Sequence, residues 1–374
     1  MAIPLLSFFT GGGFFDLGFK QAGFTVCWTN ENYPAFITGY EHGMSSWLSS
    51  LSKRQKGASI SNTHSICDLT ARAVLREAFV GPRPQLFGVI GGPPCPDFSR
   101  GGLHAGGNGS NGILTSVFTD MICSIHPTFF VIENVPGLYR IRKHRSFLDL
   151  KISQLRESGY VVDSKVLSAL ELGAPQNRER LFVVGVKRSF AQKLLERKLS
   201  INEEGWFSWP VVDAYVGARS LAWPTKSPFG DKPKKPRGIP LELSVYPALF
   251  GNGDPEQIPN GGEYFNPYSD RFNTVDEGDV SRKSFKRLHR YRFSPTAWYG
   301  NQEVHLHPSK ARRLSVREAL RIQTVPDEYE LPKEISLSAK FKMICNGVPC
   351  VMAYQLASSI SILLKKTDVT SKDS

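Results

Sequence analysis

Short apolar runs alternate with longer amphipathic or polar segments through the first half of this chain. Five of the runs are rich in β-branched and aromatic residues and are bounded by Gly, Pro or Asn; they lie at residues 3–9, 24–29, 86–91, 128–133 and 181–186. Such runs predict buried strands, and segments of helical length lie between them. Near-continuous apolar strands that alternate with helices predict an α/β fold, with a parallel sheet covered on both faces.

The pattern changes after about residue 188. From there to about residue 310, Pro and Gly are frequent, aromatic residues are scattered and periodicity is weak. Because the aromatic side chains need burial, we predict a small second lobe with short strands and long loops rather than a floppy insertion. Helical order then returns: Ser315 and Glu318 form a predicted capping box, Pro326 stops that helix, and residues 351–364 predict a last apolar helix.

The balance of charge changes the picture of partners but not of the fold. There are 46 Lys and Arg against 34 Asp and Glu, which gives a net charge of +12 and a pI near 9.4. This surplus favours a nucleic-acid partner, with an anionic membrane surface as the second candidate. No apolar stretch approaches the ~20 residues that span a bilayer, and the apolar N-terminus has no basic start. We therefore expect neither a membrane partner nor a signal peptide.

Six cysteines lie at positions 27, 67, 95, 123, 345 and 350. None of them forms a C-x-x-C pair, and no Cys/His cluster has the spacing of metal ligands. A secreted chain usually shows a clearer disulfide framework. We therefore expect no metal, and reduced thiols in a cytosolic compartment where a reactive thiolate survives.

Polar residues follow the apolar runs at the places where open parallel sheets bind ligands, beyond the carboxyl ends of the strands. Gly11 and Gly13 permit a tight turn and a close approach of the backbone to a ligand. Glu31 lies about 20 residues further on, where a carboxylate can bind two ribose hydroxyls. Asp68 can accept a hydrogen bond from an amine. Taken singly, each acid is better explained as a helix cap or a solvated turn; together they predict a pocket for an adenosine-containing cofactor.

The sequence GGPPCPDFS, at residues 91–99, holds a cysteine between prolines directly after an apolar run. A free cysteine is usually a small buried hydrophobe. Here the two prolines restrict the backbone and aim the Cys95 side chain. A thiolate at a strand end, near helix N-termini and arginines, has a lowered pKa and can act as a nucleophile.

Glu133 ends another apolar run, so we expect its carboxyl group to be partly desolvated. Desolvation raises a carboxyl pKa and makes a proton donor near neutral pH; the alternative is a structural carboxylate bonded to backbone amides. Arg178 and Arg180 are two residues apart and share one face if the chain is extended. They could orient the glutamate, a flipped base or a phosphate, or form a surface salt bridge.

Eight motifs resemble, in order, those of the DNA (cytosine-5) methyltransferases, mainly the bacterial restriction–modification enzymes. They are FFTGGGFFDLGF, NEN, CDLT, GGPPCPDFS, ENVPGL, QNRERLFVVG, RRLSVREALRIQTVPDEY and NGVP. The resemblance implies a Rossmann-like, doubly wound, mostly parallel sheet that binds S-adenosylmethionine, with a smaller, irregular target-recognition domain inserted in the chain. We therefore expect a catalytic domain of residues 1–190 and 325–374, and a DNA-binding domain of residues 191–324.

The resemblance also implies a mechanism. Cys95 would add to C6 of a flipped-out cytosine, Glu133 would protonate or hydrogen-bond N3, and C5 would then accept the methyl group, leaving S-adenosylhomocysteine as product. Arg178 and Arg180 complete the implied catalytic set. This sequence departs from the family pattern at three places, and the roles there stay open. Pro96 and Asp97 follow the cysteine, and Asn32 stands where an aromatic ring often stacks on adenine. The third is Asn111, in the NGIL stretch.

The family pattern marks a set of positions for the cofactor and suggests others for DNA. The cofactor positions are Phe9, Gly11, Gly13, Glu31, Asp68, Pro93, Leu114, Asn346 and Val348. The expected DNA contacts are Ser99, Arg282, Lys283, Arg287, Arg290 and Arg292, the last five from a basic run that could equally be a solvated face. The glycine-rich residues 99–112 are hypothesised to close over DNA as a mobile loop; the competing interpretation is a passive linker.

Three other functions remain open. A cytosine-5 RNA methyltransferase shares the fold and the chemistry, but that branch typically carries a Cys-Phe-Thr stretch that is absent here. A non-catalytic DNA-binding homologue has no use for the thiol. A nucleotide-dependent oxidoreductase explains the glycines and Glu31 but not Cys95 or the arginines. We expect a monomeric, cytoplasmic, nucleoid-associated enzyme that acts on double-stranded DNA, with a cognate restriction endonuclease as a further partner.

Overall fold

The structure is a computed structural model of the 374-residue chain. It describes residues 2–51, 60–94, 110–251, 253–296, 299 and 303–370, with the exception of the side chains of residues 60, 110, 111 and 366–370.

A seven-stranded sheet forms the centre of the described part of the chain. Its strands are β1 (Pro4–Phe8), β2 (Thr25–Asn30), β3 (Ile60–Asn62), β4 (Gly88–Gly91), β5 (Phe129–Asn134), β6 (Tyr160–Ser168) and β7 (Glu179–Lys187). They lie in the order β3-β2-β1-β4-β5-β7-β6. The first five are parallel, and β7 runs antiparallel to both β5 and β6. The predicted mostly parallel sheet is confirmed.

Helices cover both faces of the sheet. The α-helices of the described residues are α1 (Phe14–Gln21), α2 (Pro34–Ser50), α3 (Ala71–Ala78), α4 (Ser110–Ile125), α5 (Pro136–Arg140), α6 (Arg142–Glu157), α7 (Arg188–Leu195), α8 (Arg271–Thr274), α9 (Val316–Ile322), α10 (Leu337–Asn346) and α11 (Cys350–Thr370); α8 packs with Phe285, away from the sheet. Successive strand residues point to opposite faces, so Leu5 packs with α1, α7 and α11 while Leu6 packs with α3, α4 and α6. The predicted α/β fold with two covered faces is confirmed.

The insert after α7 is built mainly from loops and single turns. Its short strands are β8 (Lys286–Arg287) and β9 (His305–Leu306), which pair with each other. Small apolar clusters hold it together, one around Trp223 and Leu243 and another around Phe272 and Phe285. Several aromatic residues of the insert, including Trp223 and Phe272, are therefore buried, as expected for a small second lobe, whereas Tyr268 is exposed.

Apolar packing crosses both predicted domain boundaries, and the boundaries themselves stay predictions. The boundary after residue 190 falls inside α7, and Trp206 and Phe207, further along, lie in the apolar cluster of the sheet. At the other end, α9 begins with the predicted capping box, which Ser315 and Glu318 form. Helix α9 lies in an apolar cluster that also holds Phe14 of α1 and Leu249 of the insert.

One long apolar stretch differs from the sequence expectation. Residues Leu337–Lys365 are long and apolar enough to cross a membrane by length and composition. In the structure this stretch comprises α10 and most of α11, and 61% of its apolar window is buried inside the protein. Core helices of globular proteins pass the same test, and α11 packs against α1 beside the sheet.

Candidate active site

The predicted site residues gather along one edge of the sheet. Because β1 to β5 are parallel, their carboxyl ends lie together, and the loops that follow them meet there. Strand β7 runs the other way: Leu181 pairs with Asn134 at the end of β5, so the first residues of β7 reach the same edge. Glu133 near the end of β5 and Arg180 near the start of β7 are thereby brought side by side.

Glu133 and Arg180 form a close ion pair at this edge. The Arg180 Nε lies 2.8 Å from the Glu133 Oε1, and each side chain is only 13% exposed. The loop after β4 passes directly beside the carboxylate: a Cβ added at Gly92 would lie 2.8 Å from the Glu133 Oε2. Glycine at position 92 therefore allows the chain that leads to Cys95 to pass close to Glu133.

The environment of Glu133 has opposing effects on its proton affinity. Burial raises the pKa of the carboxyl group, whereas the charges of Arg180 and Arg178 and the hydrogen bond from Arg180 lower it. Burial is the largest of these effects, so the pKa stays above its ordinary value. A buried acid with a raised pKa, held by one cation, fits the predicted proton donor.

Arg178 has a different environment from Arg180. It is 1% exposed, and its Nη2 donates to the backbone oxygens of Cys345 at 2.9 Å and Asn346 at 3.4 Å, in the last turn of α10. Burial and the charge of Arg180 lower its pKa. Arg180 binds the glutamate directly, whereas Arg178 donates to the last carbonyls of a helix, where cations are stabilising, and both charges lower the pKa of Glu133.

The loop between β1 and α1 is shaped to approach a ligand. Gly11 and Gly13 have positive φ angles of 53° and 73°, and the Gly11 N–H donates to the Glu31 Oε2 at 2.9 Å. A side chain at Gly13 would strike the Tyr40 ring, whereas the space around a Cβ at Gly11 is open. Phe9 also has a positive φ, of 56°, which is uncommon for a bulky residue and marks a constrained turn.

Glu31 is held by the backbone but retains acceptor capacity. Its Oε1 accepts from the backbone N–H groups of Asn32 and Tyr33, each at 3.0 Å, and its Oε2 accepts from Gly11. A carboxylate offers about four lone-pair sites, of which three are used, so Oε2 can still accept from a ribose hydroxyl. Tyr33, one residue after the Asn32 that lacks the expected ring, is 42% exposed.

The turn between α10 and α11 packs against the glycine loop. A Cβ at Gly347 would lie 2.3 Å from the Phe14 ring, and one at Gly12 would lie 2.7 Å from the Met343 side chain. The two segments therefore touch, although the chain separates them by more than 300 residues. Asn346 is exposed and Val348 is 5% exposed, so the predicted cofactor residues from both ends of the chain share one site.

The remaining cofactor positions lie on neighbouring loops. Asp68 is exposed at the end of a single 3-10 turn, Ile66–Asp68, against which α4 packs. Leu114 of α4 is half-buried against the same cluster that contains Ile66. Pro93 is buried directly after β4. Open space at Gly11, spare acceptors on Glu31 and an exposed carboxylate at Asp68 together fit an adenosine-containing cofactor such as S-adenosylmethionine.

Several predicted residues lie outside the described part of the chain. They are Cys95, Pro96, Asp97 and Ser99, together with nearly all of the glycine-rich segment 99–112. Asn111 is described only as a backbone position in α4. Their predicted roles stay predictions. Among the described residues, no group of three or more His, Cys, Asp or Glu could hold a metal ion.

Two arginines of the basic run have partners within the protein. Arg287 is fully buried, and its guanidinium donates to the backbone oxygens of Phe272, Val275, His307 and Lys310. Arg290 forms a bidentate pair with Glu277, which is also fully buried. The fully buried Arg287 cannot make the predicted contact, whereas the Arg290 side chain is 14% exposed, so for it the prediction stays open. Arg282 and Lys283 are exposed and Arg292 is half-buried, so for them the prediction stays open.

The sequence reasoning missed two buried glutamines that hold the site together. Gln323 donates to the Ile344 backbone oxygen at 2.6 Å and accepts from the Gln176 Nε2 at 3.4 Å. Both side chains are 0% exposed. Gln323 follows α9 in the quoted RRLSVREALRIQTVPDEY motif, and two fully buried amides need polar partners. That need was the available signal, but the sequence did not show where the partners lie.

The segment 175–178 connects the insert to the sheet. The Ser294 N–H donates to the Pro175 oxygen at 2.9 Å, and the Asn177 N–H donates to the Ser294 oxygen at 2.8 Å. The Thr296 hydroxyl donates to the Asn177 oxygen at 2.6 Å. The residues just before Arg178 are thus fixed by the insert on one side and by Gln323 on the other.

Comparisons with known proteins agree with this architecture. The model of the family "C-5 cytosine-specific DNA methylase" matches residues 3–362. The type II methyltransferase M.NmeDI of Neisseria meningitidis serogroup C is 39% identical over 366 residues, which cover 96% of this chain and 84% of that protein. The type II methyltransferase M.MthTI of Methanothermobacter thermautotrophicus is 27% identical, over 96% of this chain and 97% of its own.

Solved structures show the same fold over nearly the whole chain. A prophage-encoded E. coli protein, described as a DNA modification methyltransferase, gives a TM-score of 0.64 at 21% identity, over 97% of this chain and 100% of the other. The Dnmt2 methyltransferase of S. pombe gives a TM-score of 0.59 at 12% identity, over 98% and 99% of the two chains.

Proposed function

The chain belongs to the C-5 cytosine-specific DNA methylase family, as a DNA cytosine-5 methyltransferase of the type II restriction–modification kind, and from this premise we propose how it acts. It methylates C5 of a flipped-out cytosine in a specific double-stranded DNA sequence. S-adenosylmethionine is the methyl donor and Cys95 is the nucleophile. The observation that carries the proposal is the buried Glu133–Arg180 pair, with the loop to Cys95 passing beside it at Gly92.

Cys95 and Glu133 activate the cytosine together. The Cys95 thiolate adds to C6, and the electron pair of the C5–C6 double bond forms a C4–C5 double bond. The pair of the former N3–C4 double bond takes a proton from Glu133 at N3, so that C5 becomes an enamine carbon. Burial raises the pKa of Glu133 above its ordinary value, which favours the protonated, proton-donating form of the carboxyl group. When bound, the cofactor would supply the methyl group to the electron-rich C5 as its sulfonium S–CH3 bond breaks. A base would then take the C5 proton, N3 would return its proton to Glu133, and the thiolate would leave as the C5–C6 double bond re-forms.

Arg180 and Arg178 position the acid from two directions. Arg180 holds the Glu133 carboxylate through Nε, so that the carboxyl group has one orientation when the base arrives. Arg178, directly before β7, ties the start of this strand to the end of α10. Its positive charge also acts on Glu133. Both therefore favour the charged form of Glu133 that remains after proton donation.

The cofactor would be held by groups from both ends of the chain. Glu31 would bind the ribose hydroxyls, Asp68 the adenine amine, and the Gly11–Gly13 loop would lie against the amino-acid portion with Phe9 and Asn346. Pro93, Leu114 and Val348 would supply apolar contacts. When bound, S-adenosylmethionine supplies an electrophilic methyl group and leaves as S-adenosylhomocysteine.

The same proposal covers the setting of the reaction. The enzyme acts as a monomer in the cytoplasm, associated with the nucleoid, and its methylation protects host DNA from a cognate restriction endonuclease. The net charge of +12 supports a polyanionic substrate, and the relatives named type II methyltransferases support the role in restriction–modification.

Trapping the covalent adduct tests the mechanism. Duplexes that contain 5-fluorocytosine in many sequence contexts are incubated with the protein and S-adenosylmethionine. Because fluorine at C5 cannot leave as a cation, the adduct should accumulate and survive denaturing electrophoresis. We expect the adduct for the wild type and for Cys67→Ser, whose exposed thiol is the matched control, but not for Cys95→Ser.

Two results would overturn the proposal. An adduct that persists in Cys95→Ser removes this residue as the nucleophile. A wild-type protein that transfers labelled methyl groups to DNA but never forms an adduct has a different route to C5.

A further inference from the structure

A short basic segment of the insert stands apart from the run that the sequence singled out. Residues 230–238 read GDKPKKPRG and carry Lys232, Lys234, Lys235 and Arg237, all exposed, with Asp231 as the only acid. Two prolines, Pro233 and Pro236, fix the backbone dihedral φ at their positions and stiffen the segment. The segment is therefore an extended, restrained row of cations.

The segment is anchored by Arg287 and Arg290, the two arginines of the basic run that have partners within the protein. The Phe229 ring lies 3.9 Å from the guanidinium carbon of the buried Arg287. The Asp231 backbone oxygen accepts from the Arg290 Nη2 at 3.1 Å, and Ser227 pairs with Glu277 in an antiparallel bridge. Arg287 and Arg290 thus hold the base of the segment, and the lysines that follow are carried outward.

The cations of this segment have no counter-charge in the part of the chain that the structure describes. Other basic residues of the insert do: Lys286 pairs with Glu303, and Lys310 and Arg312 pair with Glu256. No carboxylate of the described residues comes within 4.0 Å of the amino or guanidinium groups at 232, 234, 235 and 237. Cations left unpaired on a stiff segment form a positive field that a polyanion can neutralise.

The base of the segment adjoins a cavity at the junction with the catalytic edge. Gly278, next to the bridging Glu277, lines a cavity with Arg292 and His289 from the insert. Asn177, which precedes Arg178, lines the same cavity. The cavity therefore lies between Asn177, beside the catalytic edge, and the Ser227–Glu277 bridge from which the lysine segment begins. Six extended residues beyond Asp231 span at most roughly 20 Å.

We propose that Lys232, Lys234, Lys235 and Arg237 bind the phosphate backbone of duplex DNA outside the methylated base pair, as a sequence-independent contact. Arg287 and Arg290 are positioning residues that hold this segment in place. The inference rests on the proposed function, since it takes the DNA substrate as the partner. It places the contact on a surface that the sequence reasoning did not assign.

The dependence of DNA affinity on salt concentration tests the inference. The variant K232Q/K234Q/K235Q removes three charges from the segment. Its matched control, R188Q/K193Q/K198Q, removes three exposed cations from α7 and the chain after it, beyond the opposite edge of the sheet from Glu133. Each phosphate contact contributes about 0.9 to the slope of log affinity against log salt, so we expect the first variant to lose about 2 to 3 from the slope and the control to keep the wild-type slope.

Sequence independence gives a second readout. The loss of slope should be the same on a duplex that carries the methylated site and on a duplex that lacks it. The variant K232R/K234R/K235R retains the charge and should restore the wild-type slope, and an unchanged thermal midpoint for all variants excludes unfolding as the cause.

The outcomes separate this inference from the proposed function. If the wild type methylates DNA but the glutamine variant keeps the full slope, the lysines are a solvated surface and the inference is wrong. If a loss of slope occurs only on the specific duplex, the contact reads sequence and the inference is wrong in that respect. If the wild type transfers no methyl group to any DNA, the proposed function itself fails.

Discussion

At the scale of single residues, arginines of similar sequence context have opposite roles. Arg178 and Arg180 lie two positions apart, yet one caps α10 and the other binds Glu133. Arg287 lies in a basic run but is buried on four backbone oxygens. A guanidinium has five donors in a rigid fork, so its role follows from the acceptors around it. Those acceptors come from distant parts of the chain.

Asp16 provides a test of buried charge at this scale. Its carboxyl group is 0% exposed and accepts from the Ser7 hydroxyl at 2.6 Å and the Tyr40 hydroxyl at 2.9 Å. Burial raises its pKa from 3.8 to about 6. The folded state therefore keeps the proton while the unfolded state loses it, and the contribution of Asp16 to stability, present below pH 4, is lost as the pH rises to about 6.

We therefore expect the stability of Asp16→Asn, relative to that of the wild type, to increase as the pH rises. A shift of this size corresponds to about 3 kcal/mol, so the free energy of unfolding of the variant, relative to the wild type, should increase by about that amount between pH 4 and pH 7. Urea unfolding at several pH values measures it. A constant difference across this range would show that Asp16 does not titrate in the folded protein as described.

At the scale of elements, the C-terminus of α10 is the point where the two halves of the site meet. Arg178 and Gln323 between them bind the backbone oxygens of Ile344, Cys345 and Asn346. The last carbonyls of a helix lack partners within it, and here side chains from the catalytic edge supply them. The position of Asn346 and Val348, which we propose as cofactor residues, is therefore tied to the element that carries Arg180.

Gln323→Leu should loosen this connection. The Ile344 oxygen and the Gln176 amide would lose buried partners, at about 1–3 kcal/mol for an unmade buried hydrogen bond, and the turn after α10 would shift. We expect cofactor affinity to fall by about 5- to 100-fold, the equivalent of that energy, measured by calorimetry with S-adenosylhomocysteine.

A buried amide remote from the site serves as the control. Asn260 donates to the Leu331 backbone oxygen at 2.8 Å, and Asn260→Leu should lower the thermal midpoint while cofactor affinity stays near the wild-type value. Equal cofactor affinity in both variants would show that Gln323 has only a structural role.

The elements that the sequence predicted are those with uninterrupted apolar runs. β1, β2, β4, β5 and β7 all coincide with them within a few residues. β6 was missed because Asp163, Ser164 and Lys165 interrupt its apolar pattern, and β3 because it has only three residues. The ends of β1, β2 and β5 placed Gly11, Glu31 and Glu133 at the site. The partners that these side chains contact, such as the backbone carbonyls at the end of α10, are not marked by any local sequence pattern.

At the scale of the whole molecule, the insert and the sheet share their apolar cores. Trp206 and Phe207 pack with Phe182 and Met352 in the cluster on one face of the sheet, although they follow the predicted boundary. A change in Pro and Gly content marked where regular structure ends. It did not mark where packing ends, because an irregular chain can still bury its aromatic residues in a neighbouring core.

Phe207→Ala should therefore destabilise the catalytic unit. Phe207 is 4% exposed, and truncation of a buried phenylalanine costs about 3–5 kcal/mol. The nearby Val211 is 61% exposed, so Val211→Ala, the control, should change stability by less than about 0.5 kcal/mol. Denaturant unfolding followed by circular dichroism measures both, and a small effect of Phe207→Ala would mean that residues 191–207 belong to the insert alone.

The backbone contacts of Ser294 with residues 175–177 set a condition for exchanging recognition lobes between related enzymes. A transplanted lobe would have to provide a backbone N–H group and a backbone oxygen at the position of Ser294, and a hydroxyl group at the position of Thr296. A splice made after Thr296 would replace those partners and release the stretch that precedes Arg178. Chimeras joined before residue 294 would keep the host's own contacts between Ser294, Thr296 and residues 175–177. Only the preceding part of the lobe would then come from the other enzyme.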